Sequence, residues 1–330
     1  MKAIQIDEFG GPEVLKYVDI PSNTLQSGQV RVKAQAIGVG KPDALVRKGI
    51  YRWQPTMPAI PGNELSGEII EMSGDVGEEL HVGDRVLVSS RELSQRGGCY
   101  AEEMIVPARS VFKLPHSISF IDAVTLPNYQ LAGALLYESG NRIPRSLLIH
   151  GAAGGVAVAV LQLAALDGIT AIGTTSNDKK KEYAEKSGAK LVFNRGTDDI
   201  KERVMECTSG LGVDLVLDHV GGDEFINNLN YLAPLGVLLS YNIMGGLPNQ
   251  NLLGALRSMG AISPAIRCFT IHTLDSAPLV RRALMERAIQ LAAENKISPP
   301  SSNLFPLSKA REAHELLDSA DFFGKIVLIP

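Results

Sequence analysis

Hydrophobic positions follow two different periods along this chain. In the first third they form short alternating runs separated by glycine and proline. Lys2 to Ile6, Val30 to Ala36 (ending at Gly38), Leu65 to Met72, the run after Val82-Gly83-Asp84 through Val88, and the run through Val106 read as strands. Gly10-Gly11-Pro12, Ile60-Pro61-Gly62 and Gly97-Gly98-Cys99-Tyr100 mark breaks and strand entries between them. Many short strands at this spacing predict a partly open β-barrel. From about Ser119 the period changes. Asp122 to Tyr137 reads as helix, and apolar strands then alternate with helices. The strands are Leu147 to Ile149, Thr170 to Gly173, Val213 to Leu217, Leu235 to Tyr241 and a segment around Ile266 to Ile271. This alternation predicts an α/β fold with a doubly wound parallel sheet. Pro278 to Asn295 reads as helix, Pro299-Pro300 as a break and Leu307 to Asp318 as a short helix. Lys325 to Ile329 reads as a final strand that returns to the first domain. The expected boundaries are therefore 1–122, 123–272 and a return over 273–330.

One stretch carries chemistry. Leu147-Leu148-Ile149 is a buried-strand run, and His150-Gly151-Ala152-Ala153-Gly154-Gly155-Val156-Ala157 follows at once and leads into a helix through Leu166. A strand, a tight glycine turn and a helix start bring backbone amides and the positive end of a helix dipole to a pyrophosphate. The spacing Gly151-x-x-Gly154-x-x-Ala157 departs from the strict dinucleotide fingerprint, so a structural strand-to-helix turn is the alternative. The helix ends at Asp167-Gly168, and the next strand ends Thr174-Thr175-Ser176-Asn177. An NAD site places an acid near this tip. Here Asp178 suits the first turn of the next helix, and Lys179, Lys180 and Lys181 follow. Hydroxyls and lysines suit a 2′-phosphate, hence NADPH rather than NADH. The same lysines also read as a solvated helix face.

Composition narrows the rest. The 330 residues suggest two domains, and 45% hydrophobic with 21% charged residues is ordinary for a globular protein. A net charge of −4 calls for neither nucleic acid nor an anionic membrane. Cys99, Cys207 and Cys268 form no disulfide framework and no metal clip. The start of the chain enters a strand without a signal-peptide core, and the longest apolar helix is too short for a bilayer. A cytoplasmic protein is expected. The six histidines are scattered, and His150 reads as a packed or backbone-bonded residue, the alternative being a catalyst.

Together these residues resemble the zinc-independent, ζ-crystallin-like quinone oxidoreductases of the medium-chain dehydrogenase/reductase superfamily. The resemblance runs through Phe9-Gly10-Gly11-Pro12-Glu13-Val14-Leu15, Val82-Gly83-Asp84-Arg85-Val86, His150 to Val156 and Asp218-His219-Val220-Gly221-Gly222. Phe305-Pro306-Leu307, Ala313-His314 and Gly324-Lys325-Ile326-Val327-Leu328 complete it. It implies a GroES-like catalytic domain (1–122 and 273–330), a Rossmann NADPH-binding domain (123–272), an active site in the cleft between them and a homodimer joined through Rossmann edge strands. It implies cofactor contacts at Gly151, Ala153, Gly154, Gly155, Val156, Ser176, Lys180, Asn242 and Lys325. Arg195 stands where the family often has the tyrosine of an Asn-Tyr pair, and is expected to supply the phosphate contact instead. Zinc-dependent alcohol dehydrogenases of the superfamily use a Cys and a His where this chain has Gly40 or Lys41, and Asn63, so no metal is expected.

Three departures concern the substrate: Gly40 replaces the asparagine of Gly-Val-Asn-Pro-x-Asp, Ala132 a threonine, and Asn242 a glycine. The segment Tyr51 to Glu64 is similar to that of the 2-enoyl thioester reductases, whose tyrosine at the Tyr51 position donates a proton. Tyr51 is thus the first catalytic candidate, the alternative being that it and Trp53 only wall a cleft. Lys41, beside the lost asparagine, is the second, the alternative being a lysine on an exposed turn. The reading is an NADPH-dependent reductase of a quinone or carbonyl-activated alkene. The alternatives are a 2-enoyl thioester reductase and an NADPH-binding protein with little catalysis.

Overall fold

The structure is a computed structural model and describes residues 1–319 and 321–330. It divides into two units: Met1–Pro127 with Ile289–Ala293 and Pro299–Pro330, and Asn128–Ala288 with Glu294–Ser298. The second unit runs on past residue 273 to Ala288. The helix Pro278–Ala293 buries Arg281, Met285 and Ala288, and Gln130 donates to the Arg281 carbonyl at 2.9 Å, which ties its first turns to the second unit.

The first unit is built on a sheet in the order Ser302–Pro306, Lys325–Ile329, Gln29–Val39, Glu64–Met72, Arg85–Ser89, Val111–Lys113, with Glu103–Pro107 also paired to Gln29–Val39. Gln29–Val39 organises it. Its first half alternates, burying Val30, Val32, Ala34 and Ala36 against a core that includes Ile69, Val86, Val106 and Ile326. Its last residues, Ile37 to Val39, pair with Ile326 to Leu328 of the final strand. The strand Lys325–Ile329 does return to this unit, as its sequence suggested. Three strands of this unit were not evident in the sequence: Lys16–Asp19, which pairs with Lys2–Gln5, Val111–Lys113, which pairs with Arg85–Ser89, and Ser302–Pro306, which pairs in parallel with Lys325–Ile329. All three lie at sheet edges and are short. Leu191–Asn194, the edge strand of the second unit, was likewise not evident.

The second unit carries six parallel strands in the order Leu191–Asn194, Thr170–Thr175, Ser146–His150, Val213–Asp218, Leu232–Ser240, Ala265–Cys268. This is the doubly wound order, with its reversal between Ser146–His150 and Val213–Asp218. Leu147, Leu148 and Ile149 are wholly buried, as a central parallel strand requires. The helix Gly155–Leu166 is buried continuously from Ala157 to Ala164, which explains its apolar character on every face.

Two elements differ from expectation. The helix expected over 122–137 is three pieces: Phe120–Ala123, Leu126–Gly133 and a π-helical turn Ala134–Glu138. Pro127 cannot donate to a preceding turn, and it sits in the first turn of the second piece. The strand expected from Leu235 begins at Leu232 and carries an irregularity where Leu235 takes φ +64. Among the described residues no helix is long and apolar enough to cross a membrane.

Candidate functional site

In the second unit every strand points the same way, so all loops leaving the carboxyl ends lie along one edge. Gly151 follows Ser146–His150, Ser176 follows Thr170–Thr175, Arg195 follows Leu191–Asn194, and Asn242 follows Leu232–Ser240. A crevice at the order reversal is where open parallel sheets receive ligands.

The glycine turn is shaped for close approach. Gly151 has φ +68, and a Cβ there would lie 2.8 Å from the His219 ring. The Gly154 amide donates to the Gly151 carbonyl at 2.8 Å, and Gly154 caps the helix that starts at Gly155. A Cβ on Gly155 would meet the Asn128 side chain at 2.5 Å. Ala153 is buried and Val156 half-buried. The first helix amides have no partner inside the helix, so the turn and helix start can hold an anion such as a pyrophosphate. His219, from the Asp218-His219-Val220-Gly221-Gly222 stretch, and Asn128, which no local pattern marked, are neighbours of this turn.

Beside it, the Arg195 amide donates to the Thr175 carbonyl at 2.9 Å, which sets the Ser176 and Arg195 loops side by side. Asn177 caps the helix Asp178–Lys186 by accepting from the Lys180 amide at 2.9 Å. Asp178 lies in the first turn, as expected, and accepts from Asn194 at 2.8 Å. No carboxylate takes the strand tip; Ser176 and Arg195 are exposed and Lys180 half-buried. One expectation is corrected. Thr174 and Thr175 are not open hydroxyls but buried members of the strand, because β-branched threonine suits a pleated interior. Only Ser176 remains as an accessible hydroxyl at this tip.

Thr174 belongs to a buried polar chain beneath the crevice. Its hydroxyl pairs with His150 Nδ1 at 2.8 Å, His150 Nε2 donates to Asn228 Oδ1 at 2.6 Å, and Asn228 Nδ2 donates to Asp218 Oδ2 at 3.0 Å. Asp218 Oδ1 accepts from the amides of Val220 and Gly221 at 3.0 and 2.7 Å. Burial holds the His150 pKa below its usual value, so the ring is neutral and both nitrogens are engaged. His150 is a packed residue, held by side chains.

Asn242 turns back on its own loop, accepting from the Ile243 amide at 2.8 Å. Ala132 is fully buried in Leu126–Gly133.

The first unit holds a second cluster. Gly40 caps the helix Lys41–Arg47, and its amide donates to Asp43 Oδ2 at 2.7 Å. Asn63 Nδ2 donates to Asp43 Oδ1 at 2.6 Å, and Ser90 donates to Asn63 Oδ1 at 2.5 Å. Lys325 is ion-paired with Glu64, both nearly buried. Burial, and then the nearby Glu64 charge, raise the Asp43 pKa to about 7. A Cβ on Gly40 would be 3.8 Å from Lys325 Nζ, an ordinary contact. Lys325, expected among the cofactor contacts, lies in the first unit with its ammonium paired to Glu64. Lys41, the second catalytic candidate, does not sit on a fully exposed turn. Its Nζ donates to the Leu317 carbonyl at 2.8 Å, at the C-terminal end of the helix Ala310–Ser319. A cation there satisfies an orphan carbonyl and complements the helix dipole.

Tyr51 is half-buried and lies 5.8 Å from the Trp53 ring, centroid to centroid. Arg52 and Arg96 place their guanidiniums 5.1 and 4.5 Å from that Trp53 ring. Arg52 and Trp53 belong to the segment the sequence singles out, while Arg96, which it does not, reaches the ring from another loop.

Comparison with known proteins places this geometry. The family described as the alcohol dehydrogenase GroES-like domain matches residues 26–116, and the zinc-binding dehydrogenase family matches residues 187–328. Quinone oxidoreductase of Lama guanicoe is 30% identical over 334 residues, covering 100% of this chain and 97% of that protein. The structure of Escherichia coli quinone oxidoreductase complexed with NADPH superposes with a TM-score of 0.88 at 28% identity, covering 100% of both chains. A 2-haloacrylate reductase structure gives 0.81 at 28% identity, covering 100% of this chain and 99% of that one. The zinc in one family description does not fit the residues here. Gly40 has no side chain, Lys41 is bonded to a carbonyl, and both polar ends of the Asn63 amide are engaged. Among the described residues no group of three His, Cys, Asp or Glu could hold a metal ion.

Proposed function

The chain belongs to the quinone oxidoreductase family of the medium-chain dehydrogenase/reductase superfamily, and on that premise we propose that it is an NADPH-dependent reductase of a quinone or a carbonyl-activated alkene. The observation that carries this reading is the pairing of the Ser176 and Arg195 loops at a strand tip with no carboxylate, beside the Gly151 turn. Gly151, Ala153, Gly154, Gly155 and Val156 would hold the pyrophosphate, and Ser176, Lys180 and Arg195 the 2′-phosphate. The NADPH bound in the E. coli relative supports the same choice here.

NADPH, when bound, supplies a hydride. The work left to the protein is to hold the acceptor, stabilise the negative charge gathering on its oxygen and deliver a proton. We assign the proton to the Tyr51 hydroxyl, whose ring rests beside Trp53. The strand Ala265–Cys268 ends the parallel sheet with Ala265, Arg267 and Cys268 exposed, and we place a second copy of the chain along that edge.

The test separates binding from turnover. Equilibrium titration with NADPH and NADH is followed by NADPH oxidation with quinones, enones and enoyl thioesters. Tight NADPH binding with turnover of at least one class is expected. Tight binding without turnover of any class would instead identify a binding protein. Sedimentation that returns only monomer would remove the dimer.

A further inference from the structure

Trp53 is the sole tryptophan of the chain, and two cations share it. The Arg52 guanidinium lies 5.1 Å and the Arg96 guanidinium 4.5 Å from its ring, while Tyr51 lies 5.8 Å away. The ring faces attract each cation by about 0.5–1 kcal/mol at such sites. The two cations also repel each other. Two guanidiniums thus sit on the same aromatic ring, beside the candidate proton donor. Guanidinium is the group best matched to a carboxylate or phosphate, because its N–H donors form a planar fork.

We propose that Trp53, Arg52 and Arg96 form the anion-recognising end of the acceptor site, so that the preferred acceptor is an activated alkene bearing a carboxylate or phosphate group. This rests on the reductase reading above and names its substrate class. Trp53 stacks on the planar part of the acceptor, and the two guanidiniums pair with its anionic oxygens.

The test compares three acceptors that share one enone: uncharged, carboxylated and phosphorylated. NADPH oxidation is followed at low and high salt for the parent, Arg52→Gln and Arg96→Gln. In parallel, Trp53 fluorescence is titrated with each compound without coenzyme. The parent is expected to favour at least one charged acceptor by roughly tenfold in kcat/KM, with the advantage shrinking at high salt, since salt screens exposed charge. Each substitution should lower the charged-to-neutral ratio through KM, as lost uniform binding does. Fluorescence should respond to the charged compound in the parent and less in the variants. The carboxylated and phosphorylated arms decide which anion is meant.

Equal rates for charged and neutral acceptors, with no fluorescence response to either charged compound, would overturn the proposal and leave Trp53 a stacking face for neutral acceptors. A fluorescence response without turnover of any acceptor would keep the anion site and remove the reductase reading. The parent's own discrimination decides the matter if a variant fails to fold.

Discussion

Asn63 donates to the Asp43 carboxylate over 2.6 Å and accepts from Ser90 through its other amide atom. The amide therefore serves the protein's interior. Purified enzyme should contain no stoichiometric zinc by elemental analysis, and its turnover should survive prolonged chelation. One tightly held zinc per chain would contradict this.

NADPH should bind at least tenfold more tightly than NADH, a difference of about 1.4 kcal/mol. Arg195→Ala and Lys180→Ala should each erode that ratio, chiefly by weakening NADPH. Calorimetry with both coenzymes measures it, and equal affinities in the parent would refute the phosphate assignment.

Tyr51→Phe removes only a hydroxyl and keeps the ring beside Trp53. Turnover should fall while NADPH affinity is retained, because a contact made only in the transition state lowers kcat and kcat/KM together. An unchanged kcat would make Tyr51 a wall.

Lys41 is bonded to the Leu317 carbonyl, and burial lowers its pKa. Lys41→Met should cost about 0.5–1 kcal/mol of stability, the scale of a cation at a helix C-terminus. Its pH–rate profile should match the parent's. A large loss of kcat with an intact urea midpoint would restore a catalytic role to the lysine.

Two buried groups pull stability in opposite directions as pH falls. Asp43 is raised from 3.8 to about 7 by burial and then by Glu64, so between those values the folded chain keeps a proton that the unfolded chain has lost. That term weakens the fold as pH rises. His314 is lowered from 6.5 to about 3 by burial and then by Arg47, whose Nη1 donates to its Nδ1 at 3.1 Å. Here the unfolded chain binds the extra proton, and stability is lost as pH falls from 6.5. The two slopes offset between about pH 4 and 6.5, each near 1.4 kcal/mol per pH unit. Asp43→Asn should unmask the histidine, so that its urea stability falls more steeply with acid than the parent's. Parallel curves would mean that Asp43 titrates normally.

Much of the fold was legible because its signals are local. Leu147 to Ile149 is a continuous buried run, Gly151 and Gly154 follow at once, and the alternation of Val30, Val32, Ala34 and Ala36 marks a one-faced strand. What the sequence concealed is long-range. Lys41 meets a carbonyl 276 positions away, Lys325 meets Glu64 261 positions away, and Arg96 finds Trp53 from another loop. No period encodes such pairs. Thr174 was misread for a related reason: a hydroxyl at a strand tip looks accessible until His150 is known to face it. Ser302–Pro306 escaped because an edge strand with Leu304 exposed has no apolar face to display.

The backbone bond from Arg195 to Thr175 has a consequence for how this chain could change partners. It fastens the two loops through main-chain atoms, which no side-chain replacement removes. Ser176 and Arg195 therefore sit on a fixed frame as exchangeable parts. On the proposed phosphate assignment, an acid at 176 with a neutral residue at 195 would present the ribose with a carboxylate in place of a cation. Preference for one coenzyme over the other could then reverse through two codons, with the sheet, the glycine turn and the buried chain beneath them left as they are.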